Sequence, residues 1–306
     1  MEHETAGDPI SGLKWTRKTT EGLAEELKKL SIEVSANTVA KLLKSLDFSL
    51  RGNHKKHPAN TKVAPKERDQ QFIHIRHLRE QFSHWQCPII SIDTKKKKMI
   101  GNFKNNGLAW SKEPTGVNDH DFKSQSDGTG IPYGIYEILT NEGSVFIGTS
   151  YDTPAFAVAC LEQWWQRLDK SKYKRNDKLL ILADSDGSNG TRPRMWKWAL
   201  QQKLSNPHRL CLRVAHYPPG TSKWNPIEHR LFSEISKNWA AKPLSRYETM
   251  LNYIRTTSTK TGLTVQAHLL EGEYPKNQKV RDADFESLCI KKHKLFPKWN
   301  YTISPQ

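Results

Sequence analysis

The sequence predicts an α/β protein in which helices pack on a sheet, preceded by a short all-α segment. Residues Leu179 to Ala183 form an apolar run without alternation, as expected of a central strand covered on both faces. From Ile89 onward, short strand-like runs alternate with segments whose apolar residues recur at helical spacing. The 306 residues, 36% of them hydrophobic and ten of them Trp, suffice for a sizeable core and about two domains.

Two amphipathic helices are predicted within residues 1–50. Thr19 and Ser35 are suitable caps for them, and each helix has one apolar face. Two short helices joined by a tight turn are typical of a helix-turn-helix, whose second helix enters the major groove of DNA. The alternative is a plain helical hairpin. The outward-facing residues of the second helix, which are the candidates for DNA contact, are Asn37, Lys41 and Lys44.

Residues 51–87 are predicted as a basic linker followed by a connecting helix. The stretch from Arg51 to Gln70 has two prolines, six cations and almost no apolar residues. This composition suits either a linker that follows a phosphate backbone or a solvated loop. Apolar residues then recur at helical spacing until shortly before Pro88, where a helix is expected to end.

Residues 88–240 are predicted to form one domain with the order three strands, helix, strand, helix, strand, helix. A polar loop insertion is expected at residues 105–130, and a hairpin turn at 141–144. This order is that of a ribonuclease H-like, retroviral-integrase-like domain, by analogy with the fold. Residues 241–306 are assigned to a C-terminal extension. Strands are predicted at 89–93, 135–139, 145–148, 179–183 and 211–217, with residues 99–103 as a segment that pairs with the first of them. Helices are predicted at 153–168, at 191–204 and from Asn225-Pro226 onward.

The chain is strongly basic, with 48 Lys and Arg against 32 Asp and Glu, a net charge of +16 and a pI near 9.6. Basic residues outnumber acidic ones in the N-terminal, central and C-terminal parts alike, which excludes a basic arm on a neutral enzyme. A polyanionic partner is expected, and nucleic acid fits better than a membrane surface. No membrane partner is expected, because the apolar runs fall far short of the ~20 residues of a transmembrane helix.

The cysteines and the N-terminus indicate a cytoplasmic protein. The four cysteines lie far apart without a CxxC pair, which argues against a zinc ribbon and a disulfide framework and favours a reducing compartment. The acidic start Met1-Glu2-His3-Glu4 does not resemble a signal peptide.

Three acids fall where a ribonuclease H-like domain carries its catalytic carboxylates: Asp93 ends the first strand, Asp184 follows the fourth, and Glu228 lies on the last helix. Phosphodiester cleavage requires charge neutralisation on the attacking and leaving oxygens, which two Mg²⁺ ions about 4 Å apart achieve together. Because Mg²⁺ prefers oxygen ligands and keeps several waters, three carboxylates suffice. Asp93 is expected to bridge both ions, and the other two acids to hold one each. Structural alternatives are a turn for Asp93, an Asx turn for Asp184 and a capping box for Glu228.

The stretch LILADSDGS at residues 180–188 suggests a different enzyme class. It resembles the nucleophile loop of haloacid-dehalogenase-like phosphatases, with Asp184 as nucleophile and Asp186 as acid/base. The companion motifs argue against this alternative. The only late acidic pair, Asp282 and Asp284, follows a polar stretch, whereas that family requires an apolar strand.

Four stretches together resemble a known family. They are SIDTKKKKMIGNFKN (91–105), LADSDGSNG (182–190), HYPPGTSKWNPIEHRLFSEIS (216–236) and KWNYTIS (298–304). They resemble the Rhodopirellula-type DDE transposases of bacterial insertion sequences, and NPIEHRLFS is similar to the block around the catalytic glutamate of mariner-like transposases. The resemblance extends from about Gly12 to Ile303. It implies a DNA transposase whose acids are Asp93, Asp184 and Glu228, with Mg²⁺ as cofactor and Mn²⁺ as its substitute.

The chain departs from this family pattern at two places. Asp186 stands where a small residue is expected, which makes it a candidate for a further metal ligand or a tolerated change. Members of the family usually carry a further helical DNA-binding segment before the region Leu13 to Thr16, so the resemblance implies an N-terminally shortened copy.

Basic and aromatic residues beside the acids are predicted to contact DNA. The alternative for the lysine run after Asp93 is an exposed edge strand that lysines protect from aggregation. The Trp before the glutamate helix is suited to stacking on a flipped base, or is simply packed. The candidates for DNA contact are Lys95, Lys96, Lys97, Lys98, Lys223 and Trp224. Accessory candidates near the site are Asp186, His120, Asp121 and Asn225.

The sequence therefore predicts the transposase of a bacterial insertion sequence. It is expected to hydrolyse a DNA strand at the ends of the element and to use the freed 3′-hydroxyl for in-line attack on target DNA. Its expected partners are the terminal inverted repeats, target DNA and at least one further copy of itself, in the nucleoid-associated cytoplasm. The alternative is a catalytically silent DNA-binding remnant that represses transposition.

Overall fold

The computed structural model of the chain describes residues 5–7, 14–16, 18–49 and 63–306. The chain divides into two units, Met1–Ala59 and Asn60–Gln306. Residues 51–62 of the predicted basic linker, and Gly12 and Leu13 of the family resemblance, lie outside the described residues. Among the helices of the described residues, none combines the length and the apolar character needed to cross a membrane.

The N-terminal unit contains the two predicted helices, α1 (Thr20–Lys29) and α2 (Ala36–Ser45). The side chains of Thr19 and Ser35 accept hydrogen bonds from backbone N–H groups in the first turns, as expected of N-caps. The prediction that this unit is all-α is wrong. Two short strands, β1 (Thr5–Gly7) and β2 (Lys14–Thr16), pair antiparallel before α1. Their mutual backbone hydrogen bonds need no apolar periodicity, so the sequence pattern did not indicate them.

The second unit has the predicted α/β class and is built on a mixed sheet. Among the described residues the sheet has nine strands, in the order β10-β11-β8-β7-β3-β5-β6-β9, with β4 paired to β5. They are β3 (Ile89–Thr94), β4 (Lys98–Ile100), β5 (Gly128–Glu137), β6 (Glu142–Gly148), β7 (Lys178–Ala183), β8 (Cys211–His216), β9 (Thr264–Leu270), β10 (Ile290–Lys292) and β11 (Asn300–Ile303).

The centre of this sheet has the arrangement expected of a ribonuclease H-like domain. Strands β3, β7 and β8 are parallel neighbours, and β5 and β6 continue the sheet from β3 as antiparallel neighbours. The hairpin turn predicted at residues 141–144 is wrong by a few residues, because Glu142 already pairs with Glu137. The turn occupies residues 138–141, where Asn141 adopts the positive φ that Asn tolerates well.

Helices cover both faces of the sheet, and β7 contributes to a core on each side. Its residues Leu179 and Ile181 belong to the core beneath α4 and α5, whereas Leu180 and Leu182 belong to the core beneath α3. A continuous apolar run is therefore required at β7. The helices are α3 (Pro65–His84), α4 (Pro154–Arg167), α5 (Arg194–Ala199), α6 (Asn206–His208), α7 (Ser233–Asn238), α8 (Tyr247–Arg255) and α9 (Asp282–Glu286).

The segments predicted as connecting helix and C-terminal extension are parts of this second unit. Gln71 of α3 is fully buried, donates to the carbonyl of His216 at 2.9 Å and exchanges hydrogen bonds with Asn300 of β11. Strand β9 pairs in parallel with β6, and β11 pairs antiparallel with β8. Strands β9, β10 and β11, which come late in the sequence, thus widen the sheet on both lateral sides.

Candidate active site

Asp93 and Asp184 lie side by side because of the sheet register. Ile92 of β3 pairs with Ala183 of β7, and each acid is the next residue of its strand or of the loop after it. Because parallel strands bring their carboxyl ends to the same edge of a sheet, the two carboxyl groups project from one edge. The backbone N–H of Thr94 donates to Asp93 Oδ1 at 2.7 Å and fixes one carboxyl oxygen.

Glu228 is brought to the same edge by a helical segment that lies close on the sheet. This segment comprises the π-helical turn Glu228–Phe232 and α7. Gly134 of β5 is the direct partner of Asp93 in the ladder. A Cβ atom at Gly134 would lie 2.4 Å from Cε1 of Phe232 and 2.9 Å from Cδ1 of Ile227. The missing side chain at Gly134 therefore permits the close approach of the segment that carries Glu228 to Asp93.

Asn225 joins the three acid-bearing elements through its buried amide. Its Nδ2 donates to Asp184 Oδ1 at 3.0 Å and to the carbonyl of Ile92 at 3.3 Å, and its Oδ1 accepts from the hydroxyl of Ser91. The backbone N–H of Glu228 donates to the Asn225 carbonyl at 3.1 Å. Both Asn225 and Ser91 are completely buried. A fully satisfied polar network of this kind fixes the positions of the three acid-bearing elements relative to one another. Any shift of one element would leave buried polar groups without hydrogen-bond partners.

The electrostatics reflect the proximity of the acids. Burial, the charge of Asp184 and a hydrogen bond with Glu228 raise the pKa of Asp93 to about 8. Burial raises the pKa of Asp184 to about 6, with the charges of Glu228 and Asp186 acting in the same direction and the Asn225 hydrogen bond opposing them. Two carboxyl groups with raised pKa values at one edge indicate a site that attracts positive charge.

The three carboxylates have the donor chemistry of a divalent cation site. In the described part of the chain, none of the three forms an ion pair with Lys, Arg or His. Within the same residues, no three His, Cys, Asp or Glu side chains are already arranged around one point as metal ligands. Asp184 is instead held by Asn225, and Asp93 shares a hydrogen bond with Glu228. Hard oxygen donors that are not engaged in ion pairs among the described residues fit Mg²⁺ or Mn²⁺.

A buried chain of hydrogen bonds supports the loop that carries Asp184. His216 Nδ1 lies 2.8 Å from the carbonyl of Asp184, so it is the donor, and Nε2 accepts from the hydroxyl of Tyr301 at 3.2 Å. Trp196 Nε1 in turn donates to that hydroxyl at 2.9 Å. Burial lowers the pKa of His216 to about 4, which keeps the ring neutral. The sequence patterns assigned no role to Tyr301, whose only signal is its place in the KWNYTIS stretch.

The comparison with known proteins identifies the family. A family profile described as Rhodopirellula transposase DDE domain matches residues 1–305. The chain belongs to this family. No match was found among curated proteins.

Solved structures similar to this transposase-family chain include three complexes of Mos1. They are the Mos1 mariner paired end complex with Mn (13% identity, TM-score 0.45), the Mos1 transposase paired-end complex with left transposon end (13%, 0.42) and the Mos1 strand transfer complex (12%, 0.43). Each alignment covers 78% of this chain and 64–65% of the Mos1 chain. The chain thus spans less than two thirds of the length of these Mos1 chains.

The lysines after Asp93 divide into two pairs. Lys95 Nζ donates to the Phe232 carbonyl at 3.0 Å and to Ser236 Oγ at 2.6 Å, and Lys98 Nζ donates to Asn105 Oδ1 at 2.6 Å. These two ammonium groups connect the end of β3 and β4 to the rest of the unit. Lys96 and Lys97 are exposed at the same turn.

The other predicted site residues lie mostly at the surface. Asp186 is exposed two residues after Asp184 and acts on its pKa. Trp224 is 57% exposed, with Lys223 Nζ 5.1 Å from its ring centre. His120 and Asp121 are exposed in the loop between β4 and β5, where the His120 ring stacks on Phe122. Among the described residues, Asp121 forms no hydrogen bond with Asp93, Asp184 or Glu228. In the N-terminal unit, three residues are exposed along one side of α2, namely Asn37, Lys41 and Lys44.

Proposed function

We propose that the protein cleaves a DNA strand at the ends of an insertion sequence and joins the freed 3′-hydroxyl to target DNA, with Asp93, Asp184 and Glu228 as its catalytic carboxylates. The observation that supports this most is that three acids from two strand ends and one helical segment meet at one sheet edge. Membership of the DDE transposase family supports the same reaction class, which leaves the phosphatase alternative without support.

The chain's own residues would prepare this site for the reaction. Asn225 and the backbone of Thr94 hold the carboxylates of Asp184 and Asp93 in place. When bound, two Mg²⁺ or Mn²⁺ ions held by Asp93, Asp184 and Glu228 would neutralise charge on the attacking and leaving oxygens of the phosphodiester. In-line transfer then needs a water or a 3′-hydroxyl as nucleophile and no protein nucleophile.

The DNA partners would be held by exposed basic residues around this edge of the second unit and by α2 of the N-terminal unit. Lys96 and Lys97 lie at the turn after Asp93 and are suited to phosphate contact, because a duplex presents a dense row of negative charges. Lys223 and the exposed ring of Trp224 stand just before the glutamate segment, where stacking on an unpaired base is favourable. On α2, Asn37, Lys41 and Lys44 would contact the terminal inverted repeats. Pairing of two ends would require at least a dimer, in the nucleoid-associated cytoplasm.

The experiment is nicking and joining of labelled DNA that contains the flanks of the gene, with Mg²⁺ or Mn²⁺. We expect metal-dependent products with the wild type and none with Asp93→Asn, Asp184→Asn or Glu228→Gln, because each change removes one anionic ligand. Asp119→Asn is the matched control, since Asp119 is 90% exposed in the loop before β5. Products that persist in any of the three variants would contradict the assignment. Salt-sensitive binding without products would favour the non-catalytic remnant.

A further inference from the structure

A basic groove runs beside the candidate active site, on the side of α4 and α5. The first part has a volume of about 590 Å³ and is lined by Asp152, the start of α5 at Arg194 and Met195, and residues 275–280. A second cavity of about 540 Å³ shares Met195, Gln278 and Lys279 with the first and adds Trp198 and Lys203. The two cavities are therefore parts of one groove, which we name the Lys276 groove.

The Lys276 groove begins at the catalytic edge of the sheet. Asp152 Oδ1, at its near end, accepts a hydrogen bond of 3.2 Å from the hydroxyl of Thr94, the residue that follows Asp93. Thr94 Oγ1 also lies 3.5 Å from Ser188 Oγ in the loop after Asp184. A ligand in the near part of the groove would thus lie within a few residues of both catalytic aspartates.

The charge of the Lys276 groove suits a polyanion. Arg194, Lys203, Lys276 and Lys279 line it, against the acids Asp152 and Glu162. The Arg194 guanidinium pairs with Asp282. Throughout the described residues, the three lysines have no such acidic partner, and all three are exposed. Cations along a groove that lack protein counter-charges favour phosphate groups.

The aromatic side chains in and beside the groove favour unpaired nucleotides over a duplex. Tyr151 flanks the groove next to Asp152, is 48% exposed, and has its ring centre 4.8 Å from Nζ of the lining residue Lys276. Trp198 lines the far part. Aromatic faces beside cations are typical of single-strand binding, because only an unpaired base exposes its own face for stacking. The volumes match those of ligand-sized pockets, which admit single-stranded nucleotides and not a double helix.

We propose that the Lys276 groove binds a single-stranded segment of the DNA strand that enters the active site, with Lys276 and Lys279 on its phosphates and Tyr151 on a base. This proposal rests on the proposed transposase function, and it gives the C-terminal segment 275–280 a role in binding the substrate. The sequence patterns did not assign a function to any of these three residues.

The test is the salt dependence of DNA binding by the full chain, measured by fluorescence anisotropy with EDTA present. The probe is a labelled single-stranded oligonucleotide from the gene's flank. The logarithm of the binding constant falls as the logarithm of the salt concentration rises. Each phosphate contact that is lost on a single strand reduces the magnitude of this slope by about 0.7. We therefore expect Lys276→Ala/Lys279→Ala to reduce the slope by about 1.4. We expect Tyr151→Ala to weaken binding roughly tenfold without changing the slope.

The matched control is Lys174→Ala/Lys260→Ala. Both lysines are exposed and precede β7 and β9, so they lie at the opposite edge of the sheet from the acids. The control should keep the wild-type slope, and circular dichroism melts should verify that every variant is folded. An unchanged slope in folded Lys276→Ala/Lys279→Ala, or an equal decrease in the control, would overturn the proposal.

The binding assay contains no metal and needs no catalysis, so it is independent of the proposed reaction. If the wild type nicks DNA but the groove variant keeps its slope, only the groove proposal fails. If the slope falls as expected but the wild type yields no products under any metal, the groove binds DNA and the proposed reaction fails.

Discussion

Gly134→Ala is the substitution that probes the assembly of the site most selectively. Gly134 pairs with Asp93, and its new Cβ would lie 2.4 Å from Cε1 of Phe232, where ordinary contact begins at 3.4 Å. The Phe232 ring, or the segment that carries it, must therefore move by about 1 Å. Because Glu228 begins the same π-helical turn, its carboxylate is expected to move away from Asp93 together with the ring.

The size of the effect follows from this displacement. Overpacking of a core by one methyl group costs about 1–3 kcal/mol in the free energy of unfolding. For a unit of this size that corresponds to a melting temperature lower by roughly 2–12 °C. A 1 Å misplacement of a catalytic group costs on the order of 100-fold in rate. We therefore expect Gly134→Ala to remain folded at 25 °C and to nick DNA about 100-fold more slowly.

The assay is single-turnover nicking of the labelled end substrate, together with a thermal melt. Gly116→Ala is the matched control, because a Cβ at Gly116 has no atom within 4 Å in the part of the chain that the structure describes. The control should keep both the wild-type rate and the wild-type melting temperature. A folded Gly134→Ala variant that nicks at the wild-type rate would refute the reasoning.

Three further predictions concern groups around the site. Tyr301→Phe removes the hydroxyl that donates to His216, so we expect the free energy of unfolding to fall by about 1–2 kcal/mol. We also expect slower nicking at unchanged DNA affinity, and a wild-type nicking rate in this variant would contradict the prediction. The ammonium group of Lys95 bonds the Phe232 carbonyl, so Lys95→Met should slow nicking and leave the salt dependence of DNA binding unchanged. A slope of log K against log salt whose magnitude falls by about one would instead indicate that Lys95 contacts a phosphate. Burial lowers the pKa of His293 to about 4, so the unfolded state binds more protons below pH 6.5, and the stability of the wild type relative to His293→Gln should fall from pH 7 to pH 5 in urea unfolding.

The strands that carry the two aspartates could be predicted because their signals are local. A central parallel strand is buried on both faces, so β7 appears in the sequence as a continuous apolar run that ends at Asp184. The run before Asp93 has the same character. The helix that follows Asn225-Pro226 was also predictable, from the proline at its start. Element order then placed the three acids at one edge before any contact was known.

The contacts that support the acids could not be predicted in the same way, because they depend on pairings between distant residues. Tyr301 reaches His216 only because β11 pairs with β8, and a strand's sequence does not specify its partner. The four lysines after Asp93 are identical in sequence, yet the backbone turns two of them inward, as Lys95 illustrates. From the sequence alone, Gly134 would only be expected to weaken its strand, and its function in admitting the Phe232 ring becomes visible only in the structure.

The central claim is that Asp93, Asp184 and Glu228 together bind the divalent cations of the reaction. It is tested most directly by Mn²⁺ binding measured by isothermal titration calorimetry in the absence of DNA. We expect saturable binding to the wild type and to Asp119→Asn, and an affinity at least tenfold lower in Asp93→Asn, Asp184→Asn and Glu228→Gln, because each variant loses one of the anionic ligands. Mn²⁺ binding that is equally tight in the wild type and in folded Asp93→Asn would contradict the claim.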